Sequence, residues 1–213
     1  MPARLRPTAP IAPDAILVGD PGRALLLAQE LLQQPKMSNH ARGLWGYSGV
    51  TAAGRELTIQ STGMGGPSAS VVLGDLAELG VRRAIRIGTC ASLGRLGLGG
   101  LLVVTEAHAQ RGGPSLPDPS LTAGLREALV GATSGAVVSL DSLHRPEAEL
   151  PSMLAEGADM QTAALLQAAQ KLGVAAAAIL IAAEKSDSGR LRDEELEELA
   201  KRTGGVAAAL LSP

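Results

Sequence analysis

Aromatic residues are nearly absent from this chain of 213 residues: there is no Phe, one Trp and one Tyr. A site that stacks a planar ligand on an aromatic ring must therefore use Trp45 or Tyr47, or replace stacking with Met and aliphatic contacts. Cysteine is almost as scarce. A single Cys excludes an intrachain disulfide framework and argues against a cysteine-built metal site. A formal net charge of −2 gives no electrostatic reason to expect nucleic acid or an anionic membrane as partner. No apolar run is long enough to span a bilayer. The first residues, MPARLRPTAPIAPD, carry charge without the apolar segment of a secretory signal, so the expected compartment is the cytoplasm.

What the chain does have is 46% hydrophobic residues and a repeated alternation of two patterns. Short apolar runs of β type recur: AILV (15–18), LTIQ (57–60), AIRIGT (84–89), LLVVTEA (101–107) and GAVVSL. Between them lie segments of helical spacing, among them ALLLAQELLQQ, ASVVLGDLAELG, SLTAGLREALVGA and ADMQTAALLQAAQKLG, the last stopped by Gly173. AAAAILIAAE (175–184) has helical alanine content, yet its Ile-Leu-Ile centre directly after a helix stop predicts a buried strand. RDEELEELAKRTGGVAAALL predicts a closing helix. Residues 111–119 are a loop rich in Gly and Pro. This rhythm predicts an α/β domain spanning 1–213, with helices packed about a central sheet.

Ligands of open α/β sheets bind at the carboxyl ends of the strands. Four such places stand out: GDPGR, STGMGG, RIGT and the end of ILIAAE. In STGMGGPSAS (61–70) three glycines and a proline separate a strand from a helix. Such a stretch is either an anion cradle or only a tight strand-to-helix turn. Its neighbours bear on the choice. Arg23 and Arg86 offer guanidinium forks, Thr89 a hydroxyl, and Gly19 and Gly65 bare backbone N–H groups, a set that suits phosphate.

GDPGR, STGMGGPSAS, ELGVRRAIRIGTCASL and ADMQTAALL, in that order, resemble the nucleoside phosphorylase family, which includes uridine phosphorylase and the hexameric bacterial purine nucleoside phosphorylase. The resemblance runs from about residue 12 to about 208 and is weakest between roughly 108 and 156. It implies a single α/β domain with a central mixed β-sheet flanked by helices. It implies phosphate-dependent cleavage of a nucleoside to free base and (deoxy)ribose 1-phosphate, with inorganic phosphate as co-substrate and no cofactor or metal. Phosphate would meet Gly19, Arg23, Arg86 and Thr89. ARGLWGYSG resembles the family segment that lends an arginine to a neighbouring subunit, which points to Arg42 and to a homo-oligomer, with a dimer as the active unit within a hexamer. Met64 and Gly65 with Asp159, Met160 and Gln161 would bind the nucleoside. Arg86 and Glu184 are the catalytic candidates, Glu184 as general acid to the base, with Asp187 as a substitute.

The chain also departs from that family. Its ribose motif is Glu-Met-Glu, and here Gln161 stands where the second glutamate is expected, keeping a carbonyl acceptor and losing the charge. No histidine lies near the N-terminus, where Arg6 or Thr8 are the substitutes at hand. His40, His108 and His144 read as surface or loop residues, His108 standing nearest the expected base pocket. The uridine-type Gln and Arg pair is missing from DSLHRPEAELPSMLAEG, and the absence of Phe predicts a wide, aliphatic base pocket. A nucleosidase of the same fold, or a non-catalytic member that binds a nucleoside or an anion, stays open as an alternative.

Overall fold

The computed structural model of the chain describes residues 4–110, 113–143, 155–185 and 188–211. The described strands join one sheet in the order β10-β9-β6-β7-β8-β5-β1-β4-β3-β2, where β10 is the short edge strand Gly189–Arg190. The central strands β1 (Asp14–Val18), β4 (Glu56–Ser61), β5 (Arg83–Ser92) and β9 (Ala175–Lys185) run parallel: β1 pairs with β4 and β5, and β5 with β9. Beyond them the sheet turns mixed. β6 (Leu101–Ala109) is antiparallel to β9 and parallel to β7 (Thr133–Ser139), while β8 (Gly157–Asp159) runs parallel to β7 and antiparallel to β5. The pairings β5–β9–β6–β7–β8–β5 thus close a ring, and through it β8 is carried beside β5.

Strand alternation sorts the core into two layers. On one face Ala15, Leu17 and Ala84 pack under α2 (Gly66–Glu78) and α4 (Thr162–Leu172). On the other Ile16, Val18, Ile85 and Ile87 pack under α1 (Pro21–Leu31), α3 (Pro119–Ala128) and α5 (Asp193–Leu210). Arg86 has the parity of Ala84, so it belongs to the α2/α4 face. Close helix contact in the second layer depends on small residues: a Cβ on Gly204 would stand 2.8 Å from Leu27 Cδ2. The strands expected from sequence, AAAAILIAAE included, are present.

Three boundaries differ from the sequence expectation. The first helix stops at Leu31 instead of running through LLQQ. Pro35 cannot continue a helix and disfavours helical backbone before it, and Gln34 takes φ +48°. Residues Leu32–Asn39 become the edge strand β2, which pairs with β3 (Gly46–Thr51) across a register shift between Gln33 and Lys36. The strand AIRIGT continues through Ser92, held on both sides by β9 and β8. The helix expected from ADMQ begins only at Thr162, because Asp159 ends β8 and its carboxylate accepts the Thr162 backbone N–H at 3.0 Å. No helix among the described residues is long and apolar enough to cross a membrane.

Candidate active site

The carboxyl ends of β1 and β4 and the outer half of β5 open into a cleft of about 980 Å³. Its first wall is local in origin. In GDPGR the Asp20 carboxylate accepts the Arg23 backbone N–H at 2.8 Å and caps α1, with Pro21 at the first helical position. That cap aims Gly19 and Arg23 along the cleft. Burial pushes the Arg23 guanidinium below its ordinary value; Asp20 and Glu197 oppose this, and the nearby charge of Arg86 adds to it. The second wall is the turn after β4, where Gly63 and Gly65 take φ +70° and +81° and so admit no side chain without strain. Between these glycines Met64 projects, 85% exposed in the isolated chain.

The floor is Arg86, 4% exposed. Its Nε donates to Thr162 Oγ1 at 3.1 Å, its Nη1 to Gln161 Oε1 at 2.6 Å and its Nη2 to Asp159 Oδ2 at 3.1 Å. Gly88 lies under the guanidinium, and a Cβ there would be 2.6 Å from Nη2. Asp159 is 1% exposed and richly satisfied: Ser139 Oγ donates at 2.5 Å and Thr162 Oγ1 at 2.6 Å, alongside the Thr162 N–H. A buried charge held by so many donors is a structural anchor as much as a ligand group. Gln161 is equally committed. Besides Arg86, the Thr62 hydroxyl lies 3.1 Å from its Oε1, and its Nε2 donates to Gly63 O at 2.5 Å.

Of the residues named from sequence, Gly19, Arg23, Met64, Gly65, Arg86, Thr89, Asp159, Met160 and Gln161 line this one cleft. Arg42 does not. It sits at φ +61° in the turn Ala41–Gly43 and lines a separate depression of about 320 Å³ with Arg4, Arg6, Thr8 and His40. Glu184 also lies outside the lining. Its side chain is 52% exposed, 3.9 Å from Arg190, and it is Arg190 that lines the cleft. Asp187 and His144 fall outside the described residues. His108 lies on β6, 3.1 Å from Glu106, and does not line the cleft.

Neither aromatic reaches the cleft: Tyr47 is buried in the core and Trp45 packs partly buried against it. The apolar lining comes instead from Leu25, Leu26, Leu143, Leu196, Met64 and Met160. Sequence reasoning missed Thr162 and Arg190. The hydroxyl directly after Asp-Met-Gln was the available signal for the first; nothing local pointed to the second. Among the described residues no group of three or more His, Cys, Asp or Glu could hold a metal ion.

The model of the Phosphorylase superfamily matches residues 13–212. The DeoD-type purine nucleoside phosphorylase of Clostridium perfringens (strain ATCC 13124) is 31% identical over 190 residues, covering 80% of each chain. That of Oceanobacillus iheyensis is 42% identical over a shorter stretch of 84 residues, so this match spans 39% of the present chain and only 35% of that relative. Among solved structures, purine nucleoside phosphorylase from Toxoplasma gondii in complex with immucillin-H superposes with a TM-score of 0.81 at 25% identity, covering 95% of this chain and 90% of that one. The chain is a member of the phosphorylase superfamily.

Proposed function

We propose that this chain is a purine-type nucleoside phosphorylase. The observation that carries the reading is the meeting of two guanidinium groups, Arg23 and Arg86, with Gly19 and Thr89 in one cleft that continues into an aliphatic pocket. Cations and bare N–H groups suit a phosphate, and the apolar lining suits a base. In the reaction a phosphate oxygen forms a bond to the anomeric carbon while the bond from that carbon to the base nitrogen breaks. The electron pair leaves with the base, which takes up a proton. The sugar passes through a transition state of oxocarbenium character, and the anion held by Arg23 and Arg86 stabilises the developing positive charge. The purine preference follows the relatives, which are purine nucleoside phosphorylases.

Glu184, 3.9 Å from the cleft-lining Arg190, is kept as the candidate proton donor to the base, a role that requires its exposed side chain to turn into the cleft. Arg42 is assigned to the cleft of a second copy. Its own cleft lies elsewhere, and Arg4 and Arg6 crowd the same depression with positive charge. The reading therefore includes a homo-oligomer with a dimer as active unit, which light scattering on the purified protein tests: a monomer at assay concentration refutes it. Inorganic phosphate is the co-substrate, no cofactor or metal is required, and the cytoplasm is the compartment.

The deciding experiment follows base release from inosine, adenosine, methylthioadenosine, uridine and thymidine, each with and without phosphate, after dialysis against a chelator. Phosphate-dependent release of a purine with equimolar ribose 1-phosphate is expected. Release independent of phosphate would make the chain a nucleosidase. No release from any nucleoside would favour the non-catalytic reading, for which the engagement of the Gln161 carbonyl oxygen by Arg86 and Thr62 is the specific support.

A further inference from the structure

A guanidinium carries five N–H donors. In Arg86 one donor on each of its three nitrogens is spent on the protein: Nε on Thr162 Oγ1, Nη1 on Gln161 Oε1 and Nη2 on Asp159 Oδ2. Among the described residues one N–H on each Nη is left over. Contacts at Nη1 and Nη2 hold the outer edge of the plane, while the inner edge is carried only by the flexible Cδ–Nε bond. The contact at Nε holds that inner edge as well, so the residue that supplies it helps to set where the two remaining donors point.

That residue is Thr162, fully buried and absent from the cleft lining. The direction of its hydrogen bonds is fixed by chemistry. Its Oγ1 lies 2.6 Å from Asp159 Oδ2 and 3.1 Å from Arg86 Nε. An ionised carboxylate only accepts, so the hydroxyl donates to Asp159 and offers its lone pairs to the Nε–H. The hydroxyl itself cannot wander. Thr162 is the first residue of α4, its backbone N–H is bound by the same carboxylate at 3.0 Å, and its β-branched side chain is stiff.

We infer that Thr162 is a positioning residue: through the chain Arg86 Nε–H to Thr162 Oγ1–H to Asp159 it fixes the Arg86 guanidinium so that its two free N–H groups serve as a preset fork for the phosphate. The inference rests on the phosphorylase reading. Thr162 touches no substrate, and Asp159 keeps the Ser139 hydroxyl and the Thr162 N–H without the threonine hydroxyl, so the influence of that hydroxyl is expected chiefly in phosphate terms.

The test compares wild type, Thr162→Val and Thr162→Ser by steady-state kinetics in both substrates, with phosphate calorimetry on each. Valine keeps the volume and removes the hydroxyl, leaving a buried charged donor unpaired. The phosphate KM and Kd are expected to rise about tenfold, the effect of one hydrogen bond to a charged group, while the nucleoside KM stays within about twofold. Serine keeps the hydroxyl and is expected to return phosphate KM to within about threefold of wild type. Thr162→Val with unchanged phosphate KM and Kd, or Thr162→Ser impaired as much as Thr162→Val, overturns the inference. Should the valine variant fail to fold, Thr162→Ala is compared with Thr162→Ser on the same criteria. A wild type that neither binds phosphate nor needs it overturns the phosphorylase reading and this inference with it. A phosphate-dependent wild type with an indifferent Thr162→Val overturns the inference alone.

Discussion

Replacing Arg86 by methionine removes one charge of a pair whose members are 4% and 1% exposed. Arg86 Nη2 and Asp159 Oδ2 are 3.1 Å apart, and the carboxylate, 1% exposed at the floor of the cleft, meets little water. Breaking such a pair from one side costs about 3–5 kcal/mol, since a charge is left uncompensated. Here the lower end applies, because Asp159 keeps the Ser139 and Thr162 hydroxyls and the Thr162 N–H. About 3 kcal/mol is therefore expected, which corresponds to a fall in Tm of roughly 6–12 °C for a chain of this size. Adding Asp159→Asn removes the stranded charge while keeping an acceptor oxygen. The double variant Arg86→Met with Asp159→Asn is expected to regain about 1–2 kcal/mol of the loss. The chain's single Trp, Trp45, packs partly buried against the core and gives a clean fluorescence signal for urea unfolding. All variants are compared at one protein concentration, so that assembly does not enter the difference. A loss below about 1 kcal/mol for Arg86→Met, or a double variant no more stable than the single one, would refute the account of Asp159 as the anchor of Arg86.

Gly88→Ala places a methyl 2.6 Å from Arg86 Nη2 and 2.8 Å from Leu180 Cδ2. The guanidinium must give way, so phosphate KM rises and stability falls by about 1–3 kcal/mol; kinetics indistinguishable from wild type would show that Arg86 is not confined from below. Cys90 is buried, and burial together with the charge of Asp159 pushes its thiol up to about 12, Arg86 opposing. The thiolate is the reactive form and is populated only as pH approaches that value, so a thiol reagent applied between pH 7 and 9 leaves the native protein unmodified and labels one thiol in urea. Rapid labelling of native protein at pH 8 would contradict the burial.

Much of the fold could be read from the sequence, because strands and helices announce themselves through apolar spacing within a few residues. The first-loop part of the site could be read for the same reason: Asp20 caps a helix three residues on, and Pro21 and Gly19 shape the turn locally. The glycines at 63 and 65 likewise declare a backbone that other residues would strain. Where the chain turned on itself, local reading stopped short. Pattern alone carried the first helix on to Gln34, into what is an edge strand, since the competition between helix and sheet at Leu32–Asn39 is settled by pairing with β3.

The sequence by itself determined an α/β chain with Gly-rich strand ends and the arginines to meet an anion. Only the tertiary structure decided what those groups do to one another. The ring of strands brings β8 beside β5, and so sets Asp159, Gln161 and Thr162 on an arginine more than seventy positions earlier. It turned Gln161 from a free acceptor into a committed one, put Arg42 in a depression of its own and left Glu184 beside Arg190, outside the cleft lining. Hydrogen bonds across such separations leave no periodicity in the chain; they exist only once loop closure has been offset by the burial of two hydrophobic layers.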